Sequence, residues 1–452
     1  MVILSLLSNT ESTEYRACIA INMSASSDLT TDLSTPRDES RADKERMSTG
    51  EPKPVMPLFP EGGSKAWLVV LGCWCTSFAS FGIVNSFGVY ETYYLQNFLK
   101  DRSSADIAWI GSIQTFTQFS ATLLAGPIND RYGPMVLVWP FSFLLVIAMM
   151  LTSLCTKYYQ FILCQGVLLG MSCGLVFAPA LSVIGHYFYK KRAMAMALAS
   201  TGSPLGGIVY PVILNNLIPS IGFGWAQRVC GSLSLFLLAI AAVSLRPSGM
   251  RRKGNFILLD AFRNPTYSLQ AAAMFMVILG LWTPYFYLAN YGLAHGMSAN
   301  LAGYLFALIN AGSFFGRILG GLLANHVGQF NVVTAACYIS SLLLFCWLAI
   351  SSSAGLVVFA ILFGAVSGAI IALMMPLFAQ TADHPSKIGT YIGQSTFVVG
   401  FAGLIGTPIT GALITNDHGY SHGNIFSATA AMVGAVLITG ARYCFTKDKM
   451  IA

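Results

Sequence analysis

Apolar runs long enough to cross a hydrocarbon layer about 30 Å thick, at 1.5 Å of helical rise per residue, recur from Trp67 almost to the end of the chain. Twelve are predicted, at about 67–90, 107–127, 135–155, 160–185, 192–217, 224–245, 266–293, 300–324, 331–351, 355–382, 389–415 and 422–444. Only 10% of the residues are charged, against about 25% in a soluble protein, so the chain lacks the polar surface to cover itself in water. That composition excludes disorder, a coiled coil, a collagen-like repeat and a small disulfide scaffold. An all-α membrane protein remains.

The charge is distributed unevenly. Residues 1–65 hold 7 Lys+Arg against 10 Asp+Glu, and residues 66–452 hold 18 against 8. The positive excess therefore lies where membrane topology would use it, and no basic, aromatic-interleaved patch suggests a nucleic-acid partner. Placing the loops alternately gives 13 Lys+Arg on one side and 4 on the other, which predicts that both termini of this multi-pass protein are cytoplasmic; the plasma membrane is the expected location, with the vacuole or another organelle as the alternative. The cysteines show no CxxC pair or Cys/His ligand spacing, so no metal or other cofactor is expected.

Residues 1–64, rich in Ser, Thr, Asp, Glu and Pro, read as a disordered cytoplasmic tail. The apolar stretch Met1 to Leu7 is too short for a signal-peptide core. The longest internal break falls after the sixth span, so 65–246 is predicted as one six-helix bundle, 247–264 as a cytoplasmic linker, 265–445 as a second bundle and 446–452 as a cytoplasmic end.

An internal repeat supports that division. Gly126-Pro-Ile-Asn-Asp130-Arg131-Tyr-Gly133 follows the second span and Gly321-Leu-Leu-Ala-Asn325-His326-Val-Gly328 follows the eighth. Both fit G-x-x-x-[DN]-[RH]-x-G at the equivalent place in each half. GSPLGGIVYP at 202–211 and GLIGTPITG at 403–411 echo one another in the fifth and eleventh spans. Two related halves are the sequence trace of a carrier that rocks one bundle against the other around a central site. In such a device Gly126 and Gly133 let helix ends approach, and Asp130 with Arg131 is a candidate latch, with Asn325 and His326 at the matching loop. The plainer alternative is a tight turn with solvated charges.

The GPINDRYG loop, the twelve spans and the six-plus-six division resemble the major facilitator superfamily. Glu61-Gly-Gly-Ser-Lys-Ala-Trp67 before the first span and Tyr187-Phe188-Tyr-Lys190-Lys191-Arg192-Ala-Met-Ala-Met at the fifth are similar to signatures of its monocarboxylate transporter family, and NSFGVYETYY resembles the fungal branch. The resemblance implies the major facilitator fold, with twelve helices in two pseudo-symmetric bundles, and a secondary active transporter.

Arg317 lies about eight residues from the NHVG loop, roughly 12 Å into the membrane by helical rise. An intramembrane arginine is costly and commonly faces a substrate path. The resemblance implies that it holds a carboxylate, which a guanidinium can grip with two parallel bonds. A structural arginine satisfied by backbone carbonyls is the alternative. Animal members pair this arginine with an aspartate one turn earlier and carry a lysine in the first span, where this chain has Ser313 and Asn85. These departures imply a less charged cavity, for a larger or less acidic solute than lactate.

Pro284 should kink the seventh span, where Tyr285 and Asn290 either bond a solute or belong to an interfacial aromatic belt. Asn310 is a further polar candidate. Glu91, at the outer end of the first span, is either a proton relay or a solvated interfacial residue. No G-x-x-x-x-G-K-[ST] loop and no catalytic constellation is present, so neither direct ATP use by that route nor an enzyme is expected. The expected partners are the lipid bilayer and a small organic solute, carboxylate-like or a secondary metabolite, moved by alternating access, with efflux favoured over nutrient uptake. A non-transporting nutrient receptor is the rival of another class.

Overall fold

The computed structural model describes residues 62–188, 191–246, 258–383, 387–415 and 419–445. The acidic tail, most of the linker and the last seven residues lie outside them. The described residues form one compact unit, and no strand occurs among them.

Ten helices are long and apolar enough to span a membrane. One of them, Arg192–Ser244, is two spans in sequence, divided at Gly222 (φ 78°, ψ 163°). Ser104–Tyr132 is long enough at 29 residues but less apolar, because it carries Gln114, Gln118 and Asn129. The count among the described residues is therefore the expected twelve: α1 (Ser64–Phe98), α2 (Ser104–Tyr132), α3 (Met135–Thr152), α4 (Tyr158–Tyr187), α5 and α6 (Arg192–Ser244), α7 (Pro265–Ala294), α8 (Ala299–Val327), α9 (Gln329–Trp347), α10 (Ser353–Gln380), α11 (Ile388–Thr415) and α12 (Ser421–Phe445). The described end of the linker, Leu259–Arg263, is a 3-10 turn with an exposed Asp260–Arg263 ion pair at 3.1 Å.

Helix ends follow local chemistry. Ser103 caps α2 by accepting from the Asp106 amide while Asp106 reaches back to the Ser103 amide. Gly133 (φ 88°, ψ 162°) and Gly328 (φ 95°, ψ 149°) end α2 and α8 in a backbone region open to glycine alone. The repeat thus encodes the same turn twice, at what is called here the motif end of the bundle. At the opposite end, α1 finishes in a π-turn, Tyr94–Phe98, beside the π-helical opening of α4, Ile162–Leu169. Tyr94 donates to Gln165 at 2.7 Å and Tyr90 to Gln227 at 2.5 Å, so these buried amides are satisfied where no water is available.

Without a hydrophobic drive between helices, packing depends on close approach. In the first half Gly206 of α5 leaves room for the Phe78 carbonyl of α1; in the second, Gly406 of α11 does so for the Leu279 carbonyl of α7. A Cβ at either glycine would lie 2.6 Å from the facing oxygen. The echoed segments therefore serve matching joints.

Candidate functional site

Two seams join the halves. Along the first, α2 meets α11: Gly126 packs on the Gly389 carbonyl, a Cβ at Gly393 would lie 2.6 Å from the Thr122 carbonyl, and the Ser112 and Thr407 hydroxyls are 3.3 Å apart. Along the second, α5 meets α8, where a Cβ at Gly321 would come 2.5 Å from that of Ala197. The first glycines of the two loop motifs, Gly126 and Gly321, thus sit at equivalent places in the two seams. Arg131 is exposed and lies over the Tyr132 ring of its own helix at 5.3 Å, and Asn325 and His326 are exposed. Arg131 rests on its own helix, and the Asp130 side chain, the other half of the candidate latch, lies outside the described residues.

Between the seams is a cavity with about 690 Å³ of empty space, counting the part open to solvent. From the first half, α1 contributes Ser77, Phe81 and Asn85, and α5 contributes Met196, Ser200 and Ser203; Phe119, Phe177 and Leu181 complete that wall. From the second, α7 supplies Ile278, Trp282 and Tyr285, α8 supplies Asn310 and Arg317, and α10 adds Met374 and Met375 with smaller neighbours. Among the described residues lining it, Arg317 is the only charged one.

The environment of Arg317 follows from one proline. In a helix the Ser200 carbonyl would accept from the amide of residue 204, but Pro204 has no N–H, and its ring crowds that carbonyl. The helix breaks there: one stretch ends at Ser200 and the next begins at Gly202. The freed oxygen accepts instead from the Ser77 hydroxyl at 3.3 Å and from Arg317 Nη1 at 2.6 Å. Arg317 Nε reaches Ser313 Oγ at 3.4 Å and Nη2 reaches Ser203 Oγ at 3.5 Å. A guanidinium has five N–H groups; here one is well bonded, two are held at long range, and all partners are neutral oxygens. Arg317 therefore has both a carbonyl partner and a face on the cavity.

Of the other candidates, Asn85 lines the cavity and donates to Ser203 Oγ at 3.3 Å, Asn310 lines it while donating to the Phe306 carbonyl at 3.0 Å, and Tyr285 lines it within 3.1 Å of Ser367 Oγ. Ser313 stands behind Arg317, one turn along α8, as its hydroxyl partner. Pro284 does break α7, between Leu281 and Thr283. Asn290 departs from expectation: it is exposed and does not line the cavity, because it lies five residues beyond Tyr285 on another face of the helix. Glu91 is half-buried outside the cavity lining, in electrostatic contact with Tyr287 of α7.

Ser200 and Ser203 went unnoticed in the sequence, although the proline four residues after Ser200 was a legible sign of a free carbonyl. Trp282 was also missed as a donor: its indole N–H is buried without a hydrogen-bond partner in the cavity wall.

The profile of the Major Facilitator Superfamily matches residues 66–407. The chain is 43% identical over 407 residues to the aspyridones efflux protein apdF of Emericella nidulans, covering 90% of this chain and 82% of that protein. It is 36% identical over 412 residues to the agnestins efflux protein AgnL12 of Paecilomyces divaricatus, covering 90% and 93%. Among solved structures, the human organic anion transporter MFSD10 (TETRAN) has a similar fold, with a TM-score of 0.64 at 14% identity over 83% of this chain and 100% of that one. FucP in its outward conformation gives 0.63, also at 14% identity, over 83% and 98%.

Proposed function

The chain belongs to the major facilitator superfamily and is a multi-pass membrane transporter of small organic molecules, and from that premise we propose that it exports an acidic secondary metabolite by alternating access, with Arg317 as the anion anchor. The observation that carries this reading is a guanidinium, 4% exposed, facing an otherwise uncharged cavity between the two halves with neutral partners only. A carboxylate or similarly acidic oxygen pair would find the charge-assisted donors it needs there, and the aromatic wall of Phe81, Phe119, Phe177 and Trp282 suits a flat or hydrophobic body. Similarity to two efflux proteins for secondary metabolites supports outward transport.

A monocarboxylate-transporter-like ancestry accounts for the position of the arginine, with Ser313 and Asn85 marking a solute bulkier than lactate. The motif end is assigned to the cytoplasm, with both termini, on the distribution of Lys and Arg, and the plasma membrane is the membrane in which efflux is useful. In this reading Glu91, half-buried and electrostatically coupled to Tyr287 of α7, is the proton-relay candidate.

Hydrogen bonds to a charged group contribute about 1.5–3 kcal/mol, so Arg317→Ala is expected to raise KM for an acidic solute about 10- to 150-fold, with Arg317→Lys falling between. Vesicle flux measured on the solute that accumulates in cells lacking the protein tests this. Unchanged KM in Arg317→Ala, with the protein still in the membrane, refutes the anchor.

A further inference from the structure

The Arg317 bond to the Ser200 carbonyl crosses from α8 to α5 and therefore joins the two halves. We propose that Pro204 is a positioning residue that makes this bond a releasable tie: it leaves the Ser200 carbonyl without a helical donor, so that in the empty carrier the guanidinium binds the opposite half, and an anionic solute frees the α5/α8 seam by taking the guanidinium away. The proposal rests on the reading of Arg317 as the anion anchor.

The exchange is favourable in sign. An anion competes with a neutral carbonyl for a cation, and the charge-assisted bond is the stronger. The carbonyl is not stranded when the guanidinium leaves, because the Ser77 hydroxyl of α1, in the same half, still donates to it. The Ser203 contact, at 3.5 Å, is the other link from Arg317 to α5 and is weak by its length. The tie lies between the cavity and the packed pair Gly321 and Ala197, so its loss unfastens the seam at the point where the solute sits. The empty carrier stays fastened there, and the solute supplies the differential affinity that a population shift requires.

Pro204→Ala restores an N–H that can occupy the Ser200 carbonyl, which removes the tie and leaves the arginine in place. Pro211→Ala makes the same chemical change about two helical turns further along α5, away from Ser200, and controls for helix stiffening. Nitroxide labels at Lys191→Cys and Val327→Cys, both exposed positions, in full-length protein whose Cys18, Cys346 and Cys444 are serine, report the seam by electron–electron distance. The probes are benzoate and its neutral isostere benzamide, with binding followed by tryptophan fluorescence. In the Pro204 parent, benzoate should lengthen the distance and benzamide should not. Pro204→Ala should show the longer distance without any probe and bind benzoate about tenfold more tightly, while Pro211→Ala matches the parent.

A probe-free distance in Pro204→Ala equal to that of the parent overturns the tie. Arg317→Ala separates the two ideas: a persisting benzoate response in that variant defeats the anchor, whereas the probe-free distance in Pro204→Ala still decides the tie.

Discussion

Replacing Gly126 with alanine is expected to weaken the closed α2/α11 seam specifically. An ideal Cβ at 126 lies 2.7 Å from the Gly389 carbonyl carbon and nearer still to its oxygen, whereas ordinary contact begins at 3.4 Å. The obstacle is backbone and cannot rotate aside, so the two helices must part by at least the difference, 3.4 − 2.7 = 0.7 Å. Alanine also favours the helix by about 1 kcal/mol over glycine, but it does so whether the seam is open or shut and cancels from the comparison. Overpacking strain of about 1–3 kcal/mol falls on the shut seam alone, which shifts the equilibrium toward opening about 5- to 150-fold. The assay is the rate at which a membrane-impermeant maleimide labels Thr122→Cys, a position buried in the seam opposite Gly393, in protein whose Cys18, Cys346 and Cys444 are serine. Labelling should accelerate by that factor in Gly126→Ala. An unchanged rate refutes the view that this contact governs access at the motif end.

Gly222→Ala puts a side chain on backbone at φ 78°, ψ 163°, a region costing about 1–3 kcal/mol for other residues, and should lower the thermal unfolding midpoint measured in detergent; an unchanged midpoint would show that the joint relaxes. Tyr285→Phe removes a cavity hydroxyl now 3.1 Å from Ser367, worth about 1 kcal/mol, and should alter solute KM severalfold. Asn290→Ala, at an exposed position outside the cavity, should leave KM within about twofold by the usual size of surface effects. Equal responses from these two would refute the placement of the site.

The spans were legible because hydrocarbon thickness fixes their length, and the turns at Gly133 and Gly328 because a glycine with that backbone recurs at matching loops. Arg317 stood out because charge is costly there. The apolar wall did not: Phe81, Phe177 and Met374 have the composition of lipid-facing neighbours such as Phe143 and Phe315, and a helix apolar all round carries no stripe to say which face is which. Asn290 misled for the converse reason, since polarity near a span end marks a site and an interface equally. The partner of Arg317 needed the third dimension, because Ser200 and Arg317 are 117 residues apart.

The joint at Gly222 has a mechanical corollary. With a single residue out of helical geometry between α5 and α6, the first half has no slack at that corner with which to absorb a tilt of α5. A tilt of the stretch of α5 that follows the break after Ser200 therefore carries α6 along like the second arm of a bent lever. Displacement near the middle of the bilayer then reappears at the lipid-facing flank, and the stiffness and thickness of the surrounding membrane become part of the load against which the carrier turns over.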